Sequence, residues 1–377
     1  MEFFSAGEDE LGIVARATEP SSRICYIGCS SFFVDRSAML VTQHPVFRRF
    51  WYPVMPLSLL REGSPQPFEL LGEKIVLWLD EAGQPQAAAD RCCHRSAQLS
   101  RGSVCEGHIR CPYHGWEFDG TGACVKVPQL QDPSRIPDSY RIPAYLCQTR
   151  YGYAWVCLHP QPLRGIPVIP EAEDPRYRLI HEFYERWECA SLRICENEFD
   201  AAHISFVHQY TFGSKEDLVP SQFEIEELDY GIRNHTVIGV TNPELQQHNL
   251  GIASAKTERT TTLIWHLPFT NHIHIRYPNG RSHVIVNTPT PINDRASQVV
   301  QFCLRNDTEA ETPAAEVIRF DRAVTLEDKA ILETTDPDVP LTLSAEQHMF
   351  TDKPGILMRK QLAALIKAHG SSSNQIF

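Results

Sequence analysis

Residues Cys92 to His114 read C-C-H-R-S-A-Q-L-S-R-G-S-V-C-E-G-H-I-R-C-P-Y-H. The run holds one Cys-x-His pair, Cys92 and His94, and one Cys-x-x-His pair, Cys111 and His114. Two short loops can thus bring two thiolates and two imidazoles together. Such a donor set suits a two-iron, two-sulfide cluster with the cysteines on one iron and the histidines on the other. Neutral imidazoles raise the reduction potential above that of a four-thiolate cluster, so an electron-transfer centre is implied. Structural zinc also uses two cysteines and two histidines, but zinc fingers present a cysteine pair and then a histidine pair. Here each loop supplies one of each.

Sixteen residues separate His94 from Cys111, which resembles the Rieske pattern C-x-H-x(15–17)-C-x-x-H. The flanking R-C-x-H-R and C-P-Y-H-G-W runs look like the two cluster loops of Rieske oxygenases. One position departs from the family: Cys93 stands where proline is usual. Taking Cys93 as the ligand would lose the C-x-H spacing, so Cys92 is assigned. The resemblance implies an all-β domain around these loops.

At 377 residues the chain is far longer than a small ferredoxin and has room for two domains. The formal charge of −12 disfavours nucleic acid and anionic membranes as partners. No apolar run approaches membrane-spanning length, and the acidic start M-E-F-F-S-A-G-E-D-E lacks the features of a signal or transit peptide. A cytoplasmic location without a transmembrane span is expected. The twelve cysteines are scattered along a long chain rather than packed into a short one, so they do not read as a disulfide framework. Cys25 and Cys29 form C-x-x-x-C, to which no chemical role is given.

Residues 1–45 carry no readable motif and are taken as an extension that packs on the main body or a neighbouring subunit. The Rieske domain is expected over 46–163. Within it, W-Y-P-V at Trp51–Val54 resembles the family's opening segment. Glu73–Asp80 ends at E-A-G-Q-P and reads as a strand entering a hairpin, and Gly152–Leu158 reads as a further strand. Proline and acid crowd residues 160–176, a domain-edge composition. Residues 164–377 are expected to form the second domain. Alternation at 272–277, 282–289 and 297–304 predicts an antiparallel meander, and Ala314–Thr334 turns helical. The class is therefore α+β: an all-β domain followed by an antiparallel sheet with helices, of helix-grip type.

Asn197-Glu198-Phe199-Asp200-Ala201-Ala202-His203-Ile204-Ser205-Phe206-Val207-His208 is the second signal. It resembles the N-x-x-D-x-x-H-x-x-x-x-H motif of Rieske oxygenases. That resemblance implies mononuclear Fe(II) on a two-histidine, one-carboxylate face, with positions open to dioxygen and substrate. Residues five apart on a straight helix differ by about 140° in direction. A break is therefore predicted near Ile204–Val207. The carboxylate should come from downstream: Asp321, Glu327, Asp328, Asp336 or Asp338. The run V-T-L-E-D-K-A-I-L-E is similar to the E-D-K segment of single-component oxygenases such as dicamba monooxygenase, which selects Asp328 with Asp321 in reserve. By the same resemblance, Asp200 bridges His203 of its own chain and His114 of a neighbour, and Asn197 lies beside the iron. A helix cap is an equal reading of Asn197.

The resemblance spans about residues 47–360 and points to the single-component monooxygenases, including vanillate and dicamba O-demethylases and the pheophorbide a oxygenase group. It implies hydroxylation or oxidative demethylation of a small, aromatic or polycyclic organic substrate by O2. Electrons would come from NAD(P)H through a separate reductase or ferredoxin, since no dinucleotide fingerprint is present. A homotrimer is implied. Two other readings stay open: a ring-hydroxylating dioxygenase α subunit, and a Rieske electron carrier without oxygenase activity. Phe206, Tyr210, Phe212, Trp265 and Phe269 are candidates to line an apolar pocket.

Overall fold

The computed structural model describes residues 41–61, 64–130, 132–277 and 279–370. Most of the 1–45 extension, with Cys25 and Cys29, lies outside them. Residues 41–45 belong to the folded body: Val41 is buried, and Gln43 Nε2 donates to Asp294 Oδ2 at 2.8 Å.

The first half is built from short strands. β1 (Tyr52–Pro56) is followed by a single helical turn, α1 (Leu57–Leu60), and then β2 (Gln66–Leu70), β3 (Glu73–Leu79) and β4 (Pro85–Ala89). A small sheet follows in simple order, from β5 (Ser103–Cys105), β6 (His108–Arg110), β7 (Glu117–Phe118) and β8 (Cys124–Lys126). β9 (Ala144–Arg150) and β10 (Tyr153–Cys157) return to the first sheet, whose order is β1-β10-β9-β4-β3-β2. β2 and β3 are joined through Leu71 and Gly72, both at positive φ (52° and 75°), the conformation a two-residue hairpin loop demands. The β3–β4 hairpin turns at the expected E-A-G-Q segment.

The proline-rich stretch then crosses to a second, seven-stranded antiparallel sheet. It is pinned where Tyr151 Oη donates to Pro167 O and accepts from Ile169 N. The sheet is formed by β11 (Arg178–Trp187), β12 (Gln222–Leu228), β13 (Gly231–Thr241), β14 (Lys256–His266), β15 (Thr270–Arg276), β16 (Ser282–Asn293) and β17 (Ala296–Arg305). Its order is β11-β17-β16-β15-β14-β13-β12, so the meander expected over 272–304 forms its centre. Between β11 and β12 lie α2 (Ser191–Phe199) and α3 (Ile204–Val207). α4 (Glu244–Leu250) joins β13 to β14, and α5 (Ala314–Leu332) and α6 (Lys353–His369) close the chain.

Period-two alternation gives the second sheet two different apolar faces. On one, Val284, Val286, Val300, Phe302 and Leu304 pack against Trp51, just ahead of β1, and against Tyr153, Trp155 and Cys157 of the first sheet. Burying each large apolar side chain there stabilises the fold by about 1.5–3 kcal/mol. The alternate residues, His283, Ile285, Asn287, Gln301 and Cys303, face the other way, toward α5. α6 is tied to α2 by Arg359, which is buried and donates to both carboxylate oxygens of Glu196 (2.5 and 3.0 Å) and to Glu346 (2.5 Å). Two carboxylates around one guanidinium satisfy a charge that burial alone would make costly. Among the described residues, no helix is long and apolar enough to cross a membrane.

Candidate metal centres

The two loops that carry the first motif are built alike. Cys92 N–H donates to Ala97 O (2.9 Å), and Ser96 N–H donates to Cys92 O (3.0 Å). In the second loop Cys111 N–H donates to Trp116 O (2.8 Å), and Gly115 N–H donates to Cys111 O (3.1 Å). Each loop closes with one left-handed residue, Ser96 (φ 60°) and Gly115 (φ 72°). This shared turn aims both cysteines inward: Cys92 and Cys111 are buried side by side, whereas Cys93 is exposed. The exposure of Cys93 leaves Cys92 as the thiol that faces the other loop.

His94 and His114 meet with ring centroids 4.5 Å apart. His94 stacks on Trp116 (4.5 Å, 4° between planes), and Trp116 stacks on Tyr140 (4.9 Å). The rings are thereby held in place. Burial raises the Cys92 thiol to about 12; the His94 backbone N–H pulls it down and the Cys111 thiol raises it further. His94 Nδ1 is buried with no hydrogen-bond partner. Two adjacent buried thiols and an orphaned imidazole nitrogen are the features of donors that a metal cluster would satisfy, since metal binding deprotonates a coordinating thiol.

The second motif folds around an interrupted helix. α2 ends at Asp200, whose backbone is extended (φ −85°, ψ 109°) and whose Oδ1 accepts from Ala202 N at 2.8 Å. That Asx turn competes with further helix. The interruption therefore covers Asp200–His203, not the expected Ile204–Val207, which is itself a helical turn. The break comes earlier than the histidine spacing predicts because the Asp200 side chain ends α2 before the first histidine. α3 is a single turn flanked by loops, and its two long imidazoles lean together across it. The chain then doubles back, with Thr211, Phe212 and Gly213 N–H groups all on His208 O. Gly213 has no room for a side chain, because a Cβ there would lie 2.2 Å from Ile204 O.

His203 Nε2 and His208 Nε2 are 3.1 Å apart. Asp328 Oδ1, from α5, lies 3.4 Å from the first and 3.2 Å from the second. Asn197 Nδ2 donates to the same oxygen at 3.0 Å. Burial lowers the pKa of His203, with the Asp328 charge acting against it, so its ring favours the neutral form. Three lone-pair atoms converging at this spacing repel unless a cation or proton lies among them, and the donor set is that of a two-histidine, one-carboxylate iron site.

Asp200 Oδ2 lies 3.8 Å from His203 Nδ1, and its side chain is one-third exposed. Glu327, a candidate ligand by sequence, turns elsewhere: its Oε2 accepts from His208 Nδ1 (2.9 Å) and from Thr211 Oγ1 (2.7 Å). This fixes the His208 tautomer with Nε2 as the free acceptor. Asp321 sits two turns earlier on α5, 3.1 Å from His283 Nε2, and is not beside the histidine pair. Asp336 accepts from Asp338 N, and Asp338 lies 3.4 Å from Arg295.

The triad opens into a cavity of ≈ 150 Å³ between α2, α3, α5 and the second sheet. Of the five aromatic candidates only Phe212 lines it, stacked 4.9 Å from the His208 ring. Trp265 and Phe269 are core residues, with Trp265 Nε1 donating to Pro268 O. Phe206, on α3, and Tyr210, beyond its end, are exposed. Sequence reading missed Arg259, Asn287 and Gln301, which come from three strands and share no local pattern.

Residues 50–145 match the Rieske [2Fe-2S] domain, and residues 187–368 match the vanillate O-demethylase oxygenase C-terminal domain. Methylxanthine N1-demethylase NdmA of Pseudomonas putida is 27% identical over 344 residues, covering 89% of this chain and 94% of the relative. Methylxanthine N3-demethylase NdmB of the same organism is 28% identical, covering 85% and 90%. The solved structure of NdmA superposes with a TM-score of 0.74 over 87% of this chain and 93% of its own. Dicamba monooxygenase bound to dicamba, 20% identical, shares the fold with a TM-score of 0.72 over 87% and 99%.

Proposed function

Since this chain belongs to the Rieske non-haem iron oxygenases, oxidoreductases that act on small organic substrates, we propose specific roles for its residues and a monooxygenase reaction, hydroxylation or oxidative demethylation. The observation that carries this reading is the convergence of His203, His208 and Asp328 in the wall of a mostly apolar cavity. Cys92, His94, Cys111 and His114 would hold a [2Fe-2S] cluster, and His203, His208 and Asp328 would hold mononuclear Fe(II). When bound, these groups supply one-electron transfer and dioxygen activation.

The remaining residues position and connect. Glu327 orients His208 through Nδ1, and Asn197 fixes the Asp328 carboxylate. Apolar side chains such as Ile194, Phe212, Leu263 and Phe320 keep the cavity dry around the bound substrate. Asp200 and His114 connect the two centres across subunits of a homotrimer. Supporting this, His114 sits beside the exposed ring of Tyr113, Asp200 is part-exposed, and Phe206 and Tyr210, a few residues along the chain, are exposed. Both patches would be covered by a neighbouring copy. Electrons start on NAD(P)H and arrive through a separate reductase or ferredoxin, in the cytoplasm. The division between the two domains is proposed near residue 163, and the strand-free crossing between β10 and β11 supports it.

His203→Ala tests the assignment. The purified variant should lose its mononuclear iron and its substrate-dependent oxygen uptake while keeping the visible absorption of the cluster. Full iron content with normal uptake would reject it.

A further inference from the structure

A further group of metal-type donors lies apart from both centres, and the proposed oxygenase chemistry does not use it. Glu182 of β11, His283 of β16, Cys303 of β17 and Asp321 of α5 each offer one ligand atom, and these four atoms lie within 4.8 Å of one another. Asp321 precedes Asp328 on α5 by two turns, a rise of about 10 Å. His283 and Asp321 also line the cavity, which gives an ion a route to the group.

His283 and Cys303 reach the α5 side of the second sheet by simple alternation on neighbouring strands. Glu182 arrives differently. His181 stands opposite Phe302 and Phe183 opposite Gln301, so Glu182 is the extra residue of a β-bulge. Bulges re-aim a side chain, and this one adds a carboxyl group beside the apolar cluster of Ile180, Cys303 and Val317. Gln301 Nε2 donates to Glu182 Oε2 (2.7 Å), which fixes the carboxyl group and leaves Oε1 buried without a partner.

The other donors are as deeply placed. His283 and Asp321 are 4% and 7% exposed, and Cys303 is fully buried. His283 Nε2 and Asp321 Oδ2 are 3.1 Å apart, yet both atoms lack an aligned hydrogen-bond partner. Burial and the Asp321 charge push the Glu182 carboxyl group up, and burial pushes the Cys303 thiol up. Buried polar atoms left unpaired are costly, and an ion that takes their lone pairs removes that cost. Two carboxylates and a thiolate exceed the charge of a divalent ion by one. Arg259 and Arg305 both feel the Asp321 charge, and Arg305 is held by Asp307 (2.9 Å), which leaves Arg259 to offset the excess.

We infer that Glu182, His283, Cys303 and Asp321 form a four-donor site for a divalent ion of the zinc type. One sulfur, one imidazole nitrogen and two carboxylate oxygens suit tetrahedral zinc better than magnesium or calcium, which take oxygen alone. Four protein donors leave no position for a reactant, so the ion is structural. It clasps β11, β16 and β17 to α5, the helix that carries Asp328. This site stands independently of the iron assignment.

The test gives the enzyme, with its iron loaded, one equivalent of Zn2+, followed by desalting and X-ray absorption at the zinc edge. The expected result is about one zinc per chain with one sulfur at about 2.3 Å and three nitrogen or oxygen atoms at about 2.0–2.2 Å. The sulfur count identifies the site, since the triad offers none and the cluster loops offer two. Cys303→Ala should weaken zinc binding at least about 100-fold, because even the loss of a supporting partner costs 10–100-fold. Iron content and cluster absorption should stay unchanged in that variant, which also shows that it has folded. Glu182→Gln, which keeps the shape of the bulge, should weaken zinc binding as well. No retained zinc, a shell with no sulfur or with two, or full affinity in either variant overturns the inference. Failure of the iron assignment shows separately, in the metal content of His203→Ala.

Discussion

The two candidate metal centres are assembled in opposite ways. The cluster loops draw four donors from 23 consecutive residues, Cys92 to His114, and each loop is closed by its own pair of backbone hydrogen bonds. The candidate iron triad draws two histidines from an interrupted helix and a carboxylate from α5, 120 residues beyond His208. The first site is encoded by local turns, so its donors face one another wherever those turns form. The second exists only once α2, α3 and α5 have packed against the second sheet.

The sharpest way to break this contrast is to remove one local donor. In Cys111→Ser the cluster should be lost, with substrate-dependent oxygen uptake falling to background. The triad does not depend on the cluster loops and should keep its iron, so metal content should fall from about three irons per chain to about one. Loss of all iron would mean that the two sites fold as one unit.

The same contrast explains what could be read from the sequence. The cluster donors were legible because spacing alone defines the two loops. The strands of the meander were legible because their alternation separates Val284, Val286 and Phe302 from Ile285, Gln301 and Cys303. Asp328 was reached only through its resemblance to a known segment, since five downstream carboxylates had equal claims by composition. Asp321, seven residues earlier, even shares its helix face and lines the same cavity. The position of the helix break was misjudged because the Asp200 side chain, not the histidine spacing, decides where α2 stops. Arg259 was invisible: nothing along β14 marks which of its inward residues reaches the cavity.

A smaller effect sharpens the comparison from the triad side. Glu327 touches neither His203 nor the cavity, yet it holds His208 Nδ1 at 2.9 Å. Glu327→Gln keeps the shape but weakens the acceptor. Iron affinity should drop about 10–100-fold, the usual effect of losing such support, with cluster absorption unchanged. Chelator competition followed by metal analysis would measure this. Unchanged affinity would show that α3 alone orients the ring.

The smallest effect is expected at Cys93, and it tests whether the cluster loop is as local as its hydrogen bonds suggest. Cys93 lies between two proposed ligands, so a sequence-only view could make it either a spare donor or a tuning residue. Its neighbours carry the closure of the loop: Cys92 supplies both the donor to Ala97 and the acceptor for Ser96, and the Cys93 side chain is exposed. Cys93→Ser retains a small polar side chain on the solvent side and leaves every hydrogen bond of the turn in place. Cluster absorption, reduction potential and turnover should therefore match those of the parent protein. A bleached or shifted spectrum would instead make Cys93 a cluster donor, and the closure shared by the two loops would no longer identify the ligands.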